Sequence, residues 1–271
     1  VLLVIFCVLF FPHYGTGSSG SIMPEVKGFT LDNGVKVFSI DDDLPRTEIA
    51  VSVSYGKLFE DMNNAGMSEV IADTLLLSGS AKYPGDSVTG TLEAAGGSIS
   101  VDAGWESITI EVRVLERHTG LAFDIIGDLL SSPLFSSETV KHSATRVYEK
   151  HLRRMDDPAA KAMNGLRSVV FNGKGYGAGI TRQSISAITE GTVRDTWVKH
   201  TTGGNIIVSV SSSLKNENIM QLCNKSFSAV KNGVREYYPA DFDTVHSQIS
   251  VKSGNIYFIP ADYDQATIIC G

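Results

Sequence analysis

The segment from Gly66 to Pro84, GMSEVIADTLLLSGSAKYP, sets two carboxylates, Glu69 and Asp73, four positions apart. Around them Met67, Val70, Ile71, Thr74 and Leu75 recur at helical spacing, so the segment reads as a helix with one face in a core. Residues four apart share a helical face, which would let the two acids act together as oxygen donors. The plain alternative is a solvated face, since acids at this spacing repel by only about 0.2 to 0.5 kcal/mol in water. Glu149, in VYEKHLRR, lies near Arg153 and is as readily a solvated helix position. No pair of the six histidines has the spacing H-E-x-x-H or H-x-x-E-H, and His118, His142 and His200 read as solvated helix or loop residues. Cys7, Cys223 and Cys270 are scattered singly, without the close pairs of a zinc site or a disulfide framework.

These side chains must be positioned by a chain of 271 residues, 42% apolar and 20% charged, enough for one large domain or two smaller ones. A net charge of -7 with no long run of either sign argues against nucleic acid as a partner. The apolar run from Val1 to Phe11, followed by Pro12 and small residues, has the character of a secretory signal peptide or N-terminal anchor over residues 1–20, too short to span a bilayer alone. That predicts a location outside the cytoplasm: secreted, periplasmic or membrane-anchored.

Beyond it, strands and helices alternate. FTLDNGVKVFSI reads as a hairpin turned at Asp32-Asn33-Gly34, and TEIAVSVSY as a third strand. The helix from Gly66 is followed by a second one ending at Gly96-Gly97, then by the alternating strands SISVDAG and SITIEVRVL. Leu121, Ile125 and Leu129 mark a helix that Pro133 ends, and Val140, Ala144, Val147, His151 and Met155 mark the next. Asp157-Pro158 caps another, and the strand NIIVSVSSS and a final helix follow. This mixture with hairpins predicts an α+β fold rather than a doubly wound sheet. Residues 24–232 would form one domain. Residues 233–271 would be a linker and the truncated start of a second domain, with new strands in NIYFIPADYDQATIICG.

From about Lys27 onward, the order of these pieces resembles the insulinase, pitrilysin and mitochondrial processing peptidase group of metallopeptidases. LDNGVKVF is similar to that family's opening hairpin, SVSYGKLFE to the strand before its metal helix, and GMSEVIADTLLLSGSAKYP to that helix. AAGGSISVDAGWESITIEV resembles the next strand pair, VYEKHLRRMDDP the second metal helix, and YGAGITRQSISAITEGTVRDTWVKHTTGGN the loop and helix before the last strand. The resemblance implies an α/β sandwich in which a mixed, mainly antiparallel sheet packs against helices, as in one half of a pitrilysin-type peptidase.

The family's chemistry uses H-x-x-E-H, with two imidazoles on one helical face for zinc, a glutamate base between them and a remote glutamate ligand. Laid over this chain, the first histidine falls on Glu69, the base on Ala72, the second histidine on Asp73 and the remote ligand on Glu149. Ser100 stands where active relatives tend to carry an asparagine. Carboxylates gathered at Glu69, Asp73 and Glu149 would suit calcium, magnesium or manganese better than zinc, and their helix should face the one carrying Glu149. Ala72 cannot take a proton, and a general base is commonly worth about 10²- to 10⁴-fold. The resemblance thus implies a non-catalytic homologue with no cofactor, zinc being expected only if the motif is misplaced. Such a chain would form part of a chamber or bind peptide segments beside an active metallopeptidase subunit of the same family. The alternatives are an active metal-dependent endopeptidase and a scaffold like the core subunits of a respiratory complex.

Overall fold

The computed structural model describes residues 25–235 together with 257, 259 and 266–270. Among these residues six strands make one sheet: β1 (Val26–Thr30), β2 (Lys36–Asp41), β3 (Arg46–Val53), β4 (Ser98–Ala103), β5 (Ile108–Leu115) and β6 (Ile206–Ser212), in the order β1-β2-β6-β3-β5-β4. Of the described strands only β2 and β6 pair in parallel, so the sheet is mixed and mainly antiparallel, as the resemblance implies. The β1–β2 hairpin turns at Gly34, whose φ of 93° lies in the left-handed region that glycine tolerates.

Alternation decides which face of the sheet is covered. Ile49, Val51 and Val53 of β3 stand opposite Val112, Ile110 and Ile108 on one side and Val210, Val208 and Ile206 on the other. All nine are buried, while Glu48, Glu111 and Ser209 on the other face are at least partly exposed. A shift of one residue would invert every one of these positions, which fixes the register.

Among the described residues eight α-helices accompany the sheet: α1 (Met67–Ser78), α2 (Ser87–Ala94), α3 (Thr119–Ser131), α4 (Ser137–Met155), α5 (Pro158–Val170), α6 (Arg182–Ser186), α7 (Glu190–His200) and α8 (Asn216–Ser226). α1 packs against both α4 and β4, and α3 against β5 and α8. The expected stripe of α1 is in the core, with Val70, Ile71, Thr74 and Leu75 fully buried. α4 buries Val140, Ala144 and Val147 and begins at a capping box of Ser136 and Thr139. Asp157 caps α5 by accepting from the amides of Ala159 and Ala160.

One histidine is not where the sequence suggests. His200 is 4% exposed, its ring 4.5 Å from Tyr55 and 5.4 Å from Phe59, because the end of α7 turns inward against the strand that precedes α1. The segment 1–20 lies outside the described residues, as does most of 233–271. Of NIYFIPADYDQATIICG, residues 257, 259 and 266–270 are described and carry no strand.

Candidate functional site

The site is set by how α1 is held. Gly66 precedes the helix at φ 99°, and a Cβ there would approach the Ile185 side chain to 2.9 Å, so both conformation and space call for glycine. No α1 side chain caps the helix. Instead Glu60, 4% exposed, reaches its N-terminus, accepting from Gly66 N at 2.8 Å, Ser68 N at 2.7 Å and Ser68 Oγ at 2.6 Å. Burial pushes the Glu60 carboxyl above its ordinary value, while those hydrogen bonds and Lys57 pull the other way. Sequence reasoning missed this residue, although an acid six positions before a helix-opening glycine is visible in SVSYGKLFE.

Across from α1 runs α4, with Ser78 and Thr139 hydroxyls bonded at 2.6 Å between them. These two helices, β4 and residues near Lys57 and Ile180 line an open cavity of about 380 Å³. Glu69, Ala72 and Asp73 lie on its wall. β4 contributes Val101, Asp102 and Ala103, whereas Ser100, half-buried one residue earlier, pairs with Glu111.

The expected meeting of three carboxylates does not occur. Glu69 is ion-paired with Lys57, which also lies 5.5 Å from the Trp105 ring centre. Asp73 Oδ1 is 3.3 Å from Arg146 Nη2. Glu149 is 58% exposed and lies 3.9 Å from Arg153 on its own helix, outside the cavity wall. From α4 the cavity is lined instead by Arg146, Val147, Lys150, His151, Arg153 and Arg154. The position facing Asp73 therefore carries a guanidinium, because Glu149 is turned away from the stripe that packs on α1.

These donors do not fit zinc. A catalytic zinc takes three protein ligands and a water, and a structural one takes four. Here two carboxylates are already neutralised by Lys57 and Arg146, cations that any metal would have to displace. His151 adds an imidazole to the wall, held below its ordinary value of 6.5 chiefly by burial, with Arg154 and Lys57 adding to that and Glu69 opposing. Yet among the described residues no three His, Cys, Asp or Glu side chains gather closely enough to hold an ion. Asp73 Oδ2 is buried without a hydrogen-bond partner, a single donor where a site needs several. Lys57 and Arg146 are further residues the sequence reading did not single out, and His151, read there only as part of the α4 stripe, lies on the cavity wall. The spacing of Arg146, Lys150 and Arg154, each four apart in α4, was the visible signal.

A family model described as Insulinase (Peptidase family M16) matches residues 36–182. Subunit beta of the mitochondrial-processing peptidase of Dictyostelium discoideum is 22% identical over 213 residues, covering 78% of this chain and 45% of that protein. Subunit 1 of the mitochondrial cytochrome b-c1 complex of Bos taurus is 16% identical over 210 residues, covering 77% of this chain and 44% of its own. Among solved structures, a peptidase M16 inactive domain from Pseudomonas fluorescens superposes with a TM-score of 0.71 at 16% identity, covering 79% of this chain and 52% of that one. The chain spans about half the length of the curated relatives it matches.

Proposed function

The chain belongs to the insulinase family, peptidase family M16, and from that premise we propose that it is a non-catalytic member which forms part of a chamber, or holds peptide segments, beside an active peptidase of the same family. One observation carries this reading: Lys57 and Arg146 hold the carboxylates at two motif positions, and Ala72, 4% exposed between them, offers no base. Without a base to deprotonate water, a loss of about 10²- to 10⁴-fold would follow even if an electrophile were supplied. A buried sheet core and a lined cavity, by contrast, are present among the described residues.

Support for peptide holding comes from β4. It ends the sheet, with no strand on its outer edge among the described residues, and its residues 101–103 border the cavity. An edge strand presents free backbone donors and acceptors to an extended segment. The proposal extends to a location outside the cytoplasm on the apolar run Val1–Phe11 alone. A scaffold role is the second reading, favoured by the similarity to a cytochrome b-c1 subunit.

Elemental analysis of the dialysed chain, together with digestion of a peptide library, tests the reading. The expected outcome is no stoichiometric zinc and no cleavage. One zinc per chain, or cleavage that a chelator abolishes, overturns it in favour of an active metalloendopeptidase. A chain that neither binds peptides nor alters a partner's activity favours the scaffold.

A further inference from the structure

The cavity between α1, α4 and β4 is charged against the sign of the chain. Lys57 with Glu69 and Arg146 with Asp73 cancel in pairs. What remains on the wall is Lys150, Arg153 and Arg154 against Asp102, a surplus of two positive charges on a chain whose net charge is -7. Arg153 leans towards Glu149 at 3.9 Å, while Lys150 and Arg154 have no acidic partner among the described residues. Both lie one turn apart on the α4 face that lines the cavity, whose wall β4, the strand that ends the sheet, also borders.

From this we infer that the cavity takes an acidic peptide segment, whose Asp or Glu side chains are drawn to Lys150 and Arg154 while its backbone lies along β4. The inference rests on the peptide-holding reading above and adds the chemical class of the peptide. Four residues of α4 rise about 6 Å. In an extended segment, side chains two apart on one face are separated by about 6.6 Å. Acids at alternate positions therefore match the spacing of the two cations. A basic segment meets two uncompensated cations and a single free acid, Asp102, and is disfavoured.

The test uses the purified full chain and a labelled peptide with Asp at alternate positions, followed by fluorescence anisotropy at low and high salt. Comparison peptides carry Asn or Lys at the same positions. The acidic peptide should bind most tightly and weaken as salt rises, because exposed charges are screened. Two exposed ion pairs are together worth about two- to thirtyfold in Kd, so Lys150→Gln with Arg154→Gln should cost that much and bring the acidic peptide down to the Asn version. Both side chains are exposed, and thermal unfolding of this variant should match the parent. A charge-matched control, Lys141→Gln with Lys225→Gln, lies outside the cavity wall and should leave binding unchanged.

Equal binding of the Asp and Asn peptides, or equal loss in the control variant, overturns the inference while leaving the peptide-holding reading in place. Inorganic phosphate that competes at the same concentration as the peptide marks a small-anion site and also overturns it. Binding of none of the three peptides defeats the peptide-holding reading itself, and metal-dependent cleavage of any of them defeats the non-catalytic one.

Discussion

Glu60 shows how much of this site depends on a single side chain outside the motif positions. It satisfies two amides at the start of α1 and the Ser68 hydroxyl from a buried place, so its removal would leave donors without partners, a cost of about 1 to 3 kcal/mol. Its carboxyl is held above the ordinary 4.5 by burial, so the folded state binds its proton more tightly than the unfolded chain does. Its contribution to stability is therefore fully present below 4.5 and declines as pH rises through the raised value. Glu60→Gln mimics the protonated form but presents an amide to donors, so it should start less stable than the parent at acid pH. The gap should then narrow towards neutral pH, because only the parent bears the rising cost of a buried charge. Denaturant unfolding of both proteins from pH 4 to pH 8 measures this, and a gap that widens with pH contradicts the burial argument. At this scale the sequence was an incomplete guide. Glu69 and Asp73 were readable as neighbours on one helical face because helical spacing is local, whereas Lys57 and Glu60 act across a loop whose path no periodicity reports.

Between elements, the sequence spoke clearly about existence and weakly about rotation. The hairpin at Gly34, the stripes of α1 and α4 and the Asp157 cap all appear as their residues suggested, since each rests on contacts a few positions apart. Glu149 was misplaced for a geometric reason. One residue along a helix turns a side chain by about 100°, so an offset of one position exchanges the cavity wall for solvent. Its neighbour Lys150 is on that wall, and Arg146, one turn before Lys150, is the residue facing Asp73. A zinc-restoring variant has to respect this. Glu69→His, Ala72→Glu and Asp73→His rebuild the motif on α1, yet they leave the Arg146 guanidinium where a third ligand must come. The triple variant alone should gain little zinc affinity, and adding Arg146→Glu should raise it by about tenfold or more, since catalytic sites take three protein ligands. Metal titration by calorimetry distinguishes the two, and tight zinc binding by the triple variant would show that Arg146 swings aside at no cost. The helix itself should tolerate none of this in its core. Leu75→Ala, at a fully buried position, is expected to cost about 2 to 5 kcal/mol in denaturant unfolding.

For the molecule as a whole, the separation of fold from chemistry suggests where its activity lies. The described residues form a buried sheet core and two facing helices with a cavity between them, and the positions over which the family motif falls hold an alanine and two ion-paired carboxylates. A wall without chemistry is useful to a neighbour with chemistry. Enclosing a peptide removes water and fixes its orientation, and a second wall supplies contacts that a single open cleft lacks. If this chain provides that wall, mixing it with a family member that carries an intact H-x-x-E-H should raise kcat/KM for peptides, by about tenfold if the added contacts are worth about 1.4 kcal/mol. The increase should saturate as the pair forms, should be larger for acidic than for neutral substrates, and should shrink with Lys150→Gln and Arg154→Gln. Steady-state turnover at a fixed concentration of the active homologue, with this chain titrated in, measures all three. Turnover that stays flat while a complex of the two forms would assign this chain a structural place in the assembly, because association without any effect on the peptide is what a scaffold produces.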